Sequence, residues 1–472
     1  MTTVVVNSVV TLNTALKTAV AGETIELATG TYAGVSISAF NHAGVTITSQ
    51  TAAKPATILG LTVSNSSGIT FSNLNLSAVG LAGYYGFQVS NSSNMVFNNV
   101  NVYGSYLANT NMSGLYITNS SNVTVSNSQF SQMLRGVVES NDTGVTVTGS
   151  KFTALGSDGI DFAGTSNVTI SNNTFSDFLP TINGNHPDAI QSWTSNTTAS
   201  ESNISITGNT INSAGGAAIQ GIFMADNLGN LPFLNVTIAN NTVTAEAYNG
   251  IDVVHATGLS ITGNTVTGST ANTSWIQVNN ATNVTLSNNN APSYLLSNVA
   301  SLTEAKNSFN GVLALDAISS AVSYNMLVSS PLSHTLILTG NVKNNATANN
   351  LGDHITGNNA GDTFWGGAGA DVIVGGTGND TFNAGTGAET FTGGAGTNTF
   401  VFGLTSTNDT ITDFHAGTHD VINLSAYINA GYVPTLQNVG ANVLINLEAG
   451  HTITLLGVQA NQLIHTATGL TI

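Results

Sequence analysis

Two repeats of different length occupy most of this chain. A unit that recurs at fixed spacing restricts the fold to stacked copies of itself. The longer repeat runs from about Gly86 to about Asn290. Each copy opens on a small residue followed by an aliphatic one: GFQVS at Gly86, GLYIT at Gly114, GVVES at Gly136, GIDFA at Gly159. Later copies are AIQSW at Ala189, AIQGI at Ala218, GIDVV at Gly250 and WIQVN at Trp275, with starts 22 to 32 residues apart. A second segment of each copy alternates apolar and polar residues, as in VTVSNS from Val123, VTISNN from Val168 and VTIANN from Val236. Period two predicts half-buried strands, and the Ser-Asn, Gly-Asn or Asn-Asn that follows is turn chemistry. Strand-only units of this length predict an all-β chain, with a right-handed parallel β-helix (solenoid) over residues 1–295. A short helix at Asn13–Val20 would cap its open end. Longer spacings around 177–187, 194–202 and 225–234 read as loops inserted on one face.

The shorter repeat has a period of nine. Asp353, Asp362, Asp371, Asp380, Glu389 and Asn398 follow it, with Ile355, Phe364, Ile373, Phe382, Phe391 and Phe400 two positions on. Gly367, Gly369, Gly376 and Gly378 allow tight turns that expose carbonyl oxygens, and Asp completes a hard-oxygen shell suited to Ca²⁺. These Asp and Gly residues are the candidate calcium ligands, with Glu389 and Asn398 marking weaker sites. The pattern resembles the RTX β-roll, which implies a calcium-binding parallel β-roll, here over 341–403. Residues 296–340 carry neither period and read as a C-terminal cap or linker. The tail, with NDTITDF from Asn408 and HDVINLSAY from His419, is similar to the C-terminal segment of type I-secreted RTX proteins. That resemblance implies a secretion-signal region over 404–472, the type I secretion apparatus as a partner, and an extracellular protein without a cleaved N-terminal signal. Calcium outside the cell would then fold the roll, because metal-binding free energy becomes folding free energy.

Charge narrows the partners. The chain has 6 Lys and Arg against 23 Asp and Glu, a net charge of −17, which speaks against nucleic acid and anionic membranes and for divalent cations. There is no cysteine, so neither disulfides nor thiol chemistry enter. No apolar run is long enough to span a membrane.

Functional residues are sought where the repeat departs from its bland pattern, between Arg135 and His255. Aligned on the small-aliphatic starts, one column reads Tyr85, Ser113, Arg135, Asp158, Asp188, Ala217, Asn249, Ser274, and another reads Gln88, Tyr116, Val138, Asp161, Gln191, Gln220, Asp252, Gln277. Both are expected on one solvated strip, with steps of about 4.8 Å. Asp158, Asp161, His186 and Asp188 are the catalytic candidates. Arg135, Gln191, Trp193, Gln220, Asp252 and His255 are the substrate-binding candidates. Carboxylates do acid/base work, amides bind hydroxyls, and an indole stacks on a sugar face, so the mixture suits an extracellular polysaccharide. Arg135 either neutralises a substrate carboxylate or pairs with Glu139 or Asp158. Two carboxylates would serve a glycoside hydrolase. His186 as base with Arg135 or calcium as neutraliser would serve a lyase. A β-helix followed by an RTX roll resembles secreted alginate C5-epimerases, whose activity would begin with the same proton abstraction. Their Tyr-Gly-Phe-Asp-Pro-His motif is absent, and the nearest string is Asn185-His186-Pro187-Asp188. Ser157-Asp158-Gly159-Ile160-Asp161 is faintly similar to the first acidic motif of polygalacturonases. A non-catalytic surface, adhesin or matrix protein is the alternative from another class.

Overall fold

A computed structural model describes residues 2–471 apart from 106–111, 181–186, 214–216, 245–246, 269–273, 293, 306, 310–311, 317–322, 326–334, 340, 342, 415–418 and 449. The chain forms two compact units, Met1–Ile276 and Gln277–Ile472.

The first unit opens with a cap. Its helix is Val9–Thr18 rather than Asn13–Val20, because Ser8 forms a capping box with Thr11 and so starts the helix earlier. Leu12, Ala15 and Leu16 are buried on the helix face turned to the first coils. Beyond the cap, a typical coil has three short strands, such as Ser113–Thr118, Ser121–Ser126 and Gln129–Ser131. Each pairs in parallel with its counterpart in the next coil, giving the parallel β-helix that the repeat predicts.

Three interior ladders explain the repeated residue types. Leu115, Val137, Ile160, Ile190, Ile222 and Ile251 form the aliphatic column, in strict register and almost fully buried. Phe130, Phe152 and Phe175 stack ring on ring, with centroids 4.8 and 4.9 Å apart. Asn173, Asn209, Asn241 and Asn264 line up at the turns. Each of the last three accepts the backbone N–H of the ladder residue one coil earlier at 2.9–3.0 Å. Buried turn amides are thereby satisfied without water.

The small residue that opens each unit is dictated by the next coil. A Cβ on Gly159 would lie 2.5 Å from the Ala189 carbonyl oxygen and 2.6 Å from the Phe175 ring. This column corrects one step of the alignment. The sixth unit starts at Gly221, where a Cβ would lie 2.0 Å from the Gly250 carbonyl oxygen, and Ala218 is exposed instead. The column is therefore Asp161, Gln191, Phe223, Asp252, and Gln220 moves to the other column, opposite Asp188.

In the second unit, alternate nonapeptides fall on two sheets. Ile355, Ile373 and Phe391 pair on one, and Ala346, Phe364, Phe382 and Phe400 on the other, so a full coil takes 18 residues. The chain after the repeat continues both sheets. Asp409–Ile411 follows Phe391 in parallel, then pairs with the last strand of the antiparallel meander Thr435–Val439, Asn442–Glu448 and His451–Leu455. Gly469–Thr471 pairs antiparallel with Val421–Asn423. Parallel stacking thus ends in antiparallel strands.

Candidate functional site

Arg135, Asp158, Asp188 and Gln220 each precede the glycine or alanine of the close-packed column, on four consecutive coils. Asp161 and Gln191 lie three residues later on their own coils, so two columns run side by side. The Arg135 Nε lies 3.0 Å from Asp158 Oδ2 and 2.8 Å from Asp161 Oδ2. Asp158 also accepts the Ser157 hydroxyl at 2.8 Å and the Asp188 backbone N–H at 3.1 Å. The Gln191 amide donates to Asp188 Oδ2 at 3.0 Å. Six residues from three coils are thereby joined.

The strip is not solvated as expected. Asp158, Asp161 and Asp188 are 3%, 1% and 0% exposed. The reason is local: Asp158 folds back onto backbone of the next coil, and Arg135 reaches across to cover Asp158 and Asp161. The array meets solvent through Arg135 and Gln191, both half-buried. Burial, reinforced by Asp158 and Asp252, pushes the Asp188 carboxyl up to about 8. Burial and then Asp158 hold Asp161 well above the carboxylate range, against the pull of Arg135. One guanidinium pairs with two of these three carboxyls in a water-poor site, and burial favours the protonated forms of Asp161 and Asp188.

The other candidates surround this array or lie apart from it. Trp193 ends the Asp188–Trp193 strand and lines a cavity of about 220 Å³ with Tyr85, Tyr116 and Val138. Tyr85 and Tyr116 stack at 4.1 Å. Sequence reasoning placed both in the columns without giving them a role, although the aromatic pair interrupts an otherwise small, polar pattern. A larger cavity, about 430 Å³, lies at the N-terminal cap beside Lys17 and His42 and contains none of these residues. Gln220 accepts from Asn249 at 2.7 Å, and Asn249 accepts the Trp275 indole N–H at 3.0 Å. Asp252 is buried and pushed up to about 7 by that burial, and Phe223 separates it from Gln191 in the column.

His255 occupies a turn slot with φ 66°, where other coils place Asn65, Asn91, Asn119 and Asn141. Its Nδ1 is 2.5 Å from Asp226 Oδ2, and Asp226 also accepts from Thr194 and the Leu231 N–H. Burial opposes ionisation of Asp226, but these bonds outweigh it and hold the carboxyl below its ordinary range. His255 and Asp226 thus form a separate dyad. His186 lies outside the described residues.

Glu139 does not pair with Arg135. It belongs to the inward column Ile117, Glu139, Phe162, Ser192. Neither carboxylate oxygen has a hydrogen-bond partner, and burial, with Asp142, Glu201 and Asp161 adding to it, raises the group well above its ordinary range. Glu201, in the 194–202 insertion, accepts from Ser192 at 2.8 Å and Gly164 at 2.7 Å and is pushed up to about 8 by burial. Its only signal in the sequence is an acid in a stretch almost free of charge.

In the roll, Asp353, Asp362, Asp371 and Asp380 are buried. The last three accept, through Oδ1, the backbone N–H of the residue 18 positions earlier, each at 2.7 Å. Gly367, Gly369, Gly376 and Gly378 stack so closely that a Cβ on any of them would overlap backbone of the preceding turn. Asp380 Oδ2 and both Glu389 carboxylate oxygens are buried without a hydrogen-bond partner. Orphaned carboxylate oxygens among close-packed glycine turns fit a hard cation such as Ca²⁺.

Comparison with known proteins agrees with both architectures. Residues 59–220 match the right handed beta helix region family, and residues 347–382 and 365–400 match the RTX calcium-binding nonapeptide repeat. No curated protein matches the chain. Among solved structures, similarity is found to an alginate lyase from Paenibacillus sp. str. FPU-7 (14% identity, 83% of this chain and 94% of that one, TM-score 0.27). It is found also to the A-module of the Azotobacter vinelandii mannuronan C-5 epimerase AlgE6 (15%, 81% and 92%, 0.35). A polygalacturonase from Erwinia carotovora ssp. carotovora gives 14% identity, 77% and 92% coverage, and a TM-score of 0.33. The chain is a right-handed parallel β-helix followed by calcium-binding RTX repeats.

Proposed function

We propose that this protein is an extracellular polysaccharide-depolymerising enzyme that hydrolyses glycosidic bonds at the Asp158–Asp161–Asp188 array. The observation that carries the reading is two aspartates of one coil paired with Arg135, one of which accepts the backbone N–H of a third buried aspartate on the next coil. Hydrolysis needs a protonated carboxyl to donate to the leaving oxygen and a carboxylate to activate water or attack the sugar. Neighbouring carboxyls in unlike environments can supply both at one pH. Asp188, pushed up to about 8, is the proton donor, and Asp158, paired with Arg135, is the candidate for the carboxylate role. Gln191, bonded to Asp188, orients it.

β-Elimination and C5-epimerisation are less well supported. Both need a charge that neutralises a substrate carboxylate, and Arg135 is already engaged by two aspartates. The type I export route and the secretion role of 404–472 complete the proposal, resting on the RTX repeats and the resemblance of the tail. The test is product chemistry. A panel of neutral polysaccharides and polyuronates is incubated with the full chain and calcium. Release of reducing ends without an unsaturated, ultraviolet-absorbing product supports hydrolysis. An unsaturated product identifies a lyase, and altered uronate configuration without chain cleavage identifies an epimerase. Turnover should fall as pH rises through about 8, when Asp188 loses its proton.

A further inference from the structure

Beside the carboxyl array the outer surface of the β-helix dips. In the column that carries Asp161, the preceding coils place Tyr116 and then Val138. Towards the end of the same strands, Ser140 stands opposite Ala163, and Trp193 follows on the next coil, two residues past the Ile160–Ile190 pair's Gln191 neighbour. Small side chains between large aromatic ones leave a cavity of about 220 Å³, flanked by the stacked Tyr85–Tyr116 pair and by Trp193. Val138 and Ala163 line it, both nearly buried at 8% and 9% exposure, and Asn141 and Thr197 add polar groups. No Lys or Arg is among its described lining residues.

We infer that this cavity is a binding subsite for one uncharged sugar ring of the polysaccharide, with Tyr116 and Trp193 as its aromatic walls. Aromatic faces take the C–H-rich face of a pyranose, and nearby amides and hydroxyls meet its hydroxyl groups. Drug-sized ligands fill pockets of ~300–1,000 Å³, so this one suits a single ring of a longer chain. Val138 is the register neighbour of Asp161, so a ring held here places the next linkage towards the array. A uronate is disfavoured: the only nearby guanidinium is paired with two aspartates, and the chain carries a net charge of −17. The inference deepens the hydrolytic reading by naming the substrate class, although sugar binding itself does not require that reading.

The test is calorimetric titration of the full chain, loaded with calcium and carrying Asp188→Asn to prevent turnover. The probes are neutral hexasaccharides of glucan, mannan and xylan type, and hexamers of mannuronate and galacturonate. At least one neutral hexasaccharide should bind. Trp193→Ala and Tyr116→Ala, each with unchanged circular dichroism, should each weaken it by at least about tenfold, and Trp193→Phe should keep most of the binding. Uronate hexamers should bind at least about tenfold more weakly than the best neutral one. Binding of uronates as tight as that of neutral sugars, no neutral binding, or aromatic variants with unchanged affinity would overturn the inference. If the aromatic variants lose binding while a separate assay finds no hydrolysis by the wild type, the subsite stands and the hydrolytic reading falls.

Discussion

In the β-helix, Asp158 and Asp161 on one coil pair with a single arginine, and Asp188 on the next coil is held protonated by its burial. In the roll, Asp353, Asp362, Asp371 and Asp380 recur every nine residues, and no arginine accompanies them. Instead, carboxylates cap backbone N–H groups of neighbouring turns, and Asp380 and Glu389 retain orphaned oxygens. Both regions are solenoids that bury acids. One neutralises them from within, by a guanidinium and by the protonation that burial favours. The other leaves the task to a cation from solution. The difference separates a site built for proton transfer from one built for metal-coupled folding.

Removal of calcium should separate the two most sharply. With a chelator added to the full chain, amide hydrogens across 347–401 should lose protection by orders of magnitude, because a roll with uncompensated carboxylates does not fold. Amides of the β-helix, such as those of Leu115–Thr118, should exchange as before. Equal loss in both regions would remove the distinction.

A smaller effect tests the scaffold. Gly221→Ala places a methyl group 2.0 Å from the Gly250 carbonyl oxygen and should destabilise the β-helix by about 1–3 kcal/mol or more. Ala218→Gly, at an exposed position, should change the thermal midpoint little. The reverse ranking would restore the start of this unit to Ala218.

Smaller again is the response to pH. Glu139, Glu201, Asp142 and Asp188 have folded pKa values raised above the ~4 of an unfolded carboxyl. The folded state therefore binds more protons than the unfolded state above pH ~4. Stability is full below that value and declines as pH rises towards about 8, where Asp188 and Glu201 titrate. Glu139→Gln should flatten the decline in urea midpoints measured across that range. A β-helix that grows more stable on alkalinisation would show that the interior carboxyls have partners not seen here.

The two solenoids were not equally legible from sequence. The roll repeats its chemistry in every unit, so Ile355, Phe364 and Asp371 could be placed by counting. The β-helix repeats its packing but not its chemistry. The string AAIQGIF offers two small-aliphatic starts, and only the carbonyl of Gly250 excludes a side chain at the second, which moved Gln220 from one column to the other. Glu139 shares the parity of inward Val137, so period two already turned it from Arg135 into the core. The bridge from Arg135 to Asp158 was among the expectations. The added ion-pair contact with Asp161, and the burial of all three acids, depend on how far one side chain reaches across a coil, which spacing does not encode. Glu201 lies on an insertion with no repeat to align it.

The central claim is that chemistry resides in the carboxyl array and depends on the proton held at Asp188. The direct measurement is the hydrolysis rate of the best neutral polysaccharide by the wild type and by Asp188→Asn, with circular dichroism confirming an intact β-helix. Loss of a proton donor predicts a fall in kcat of about 10²–10⁴-fold with calcium-dependent folding unchanged. Hydrolysis by Asp188→Asn at the wild-type rate would contradict the account.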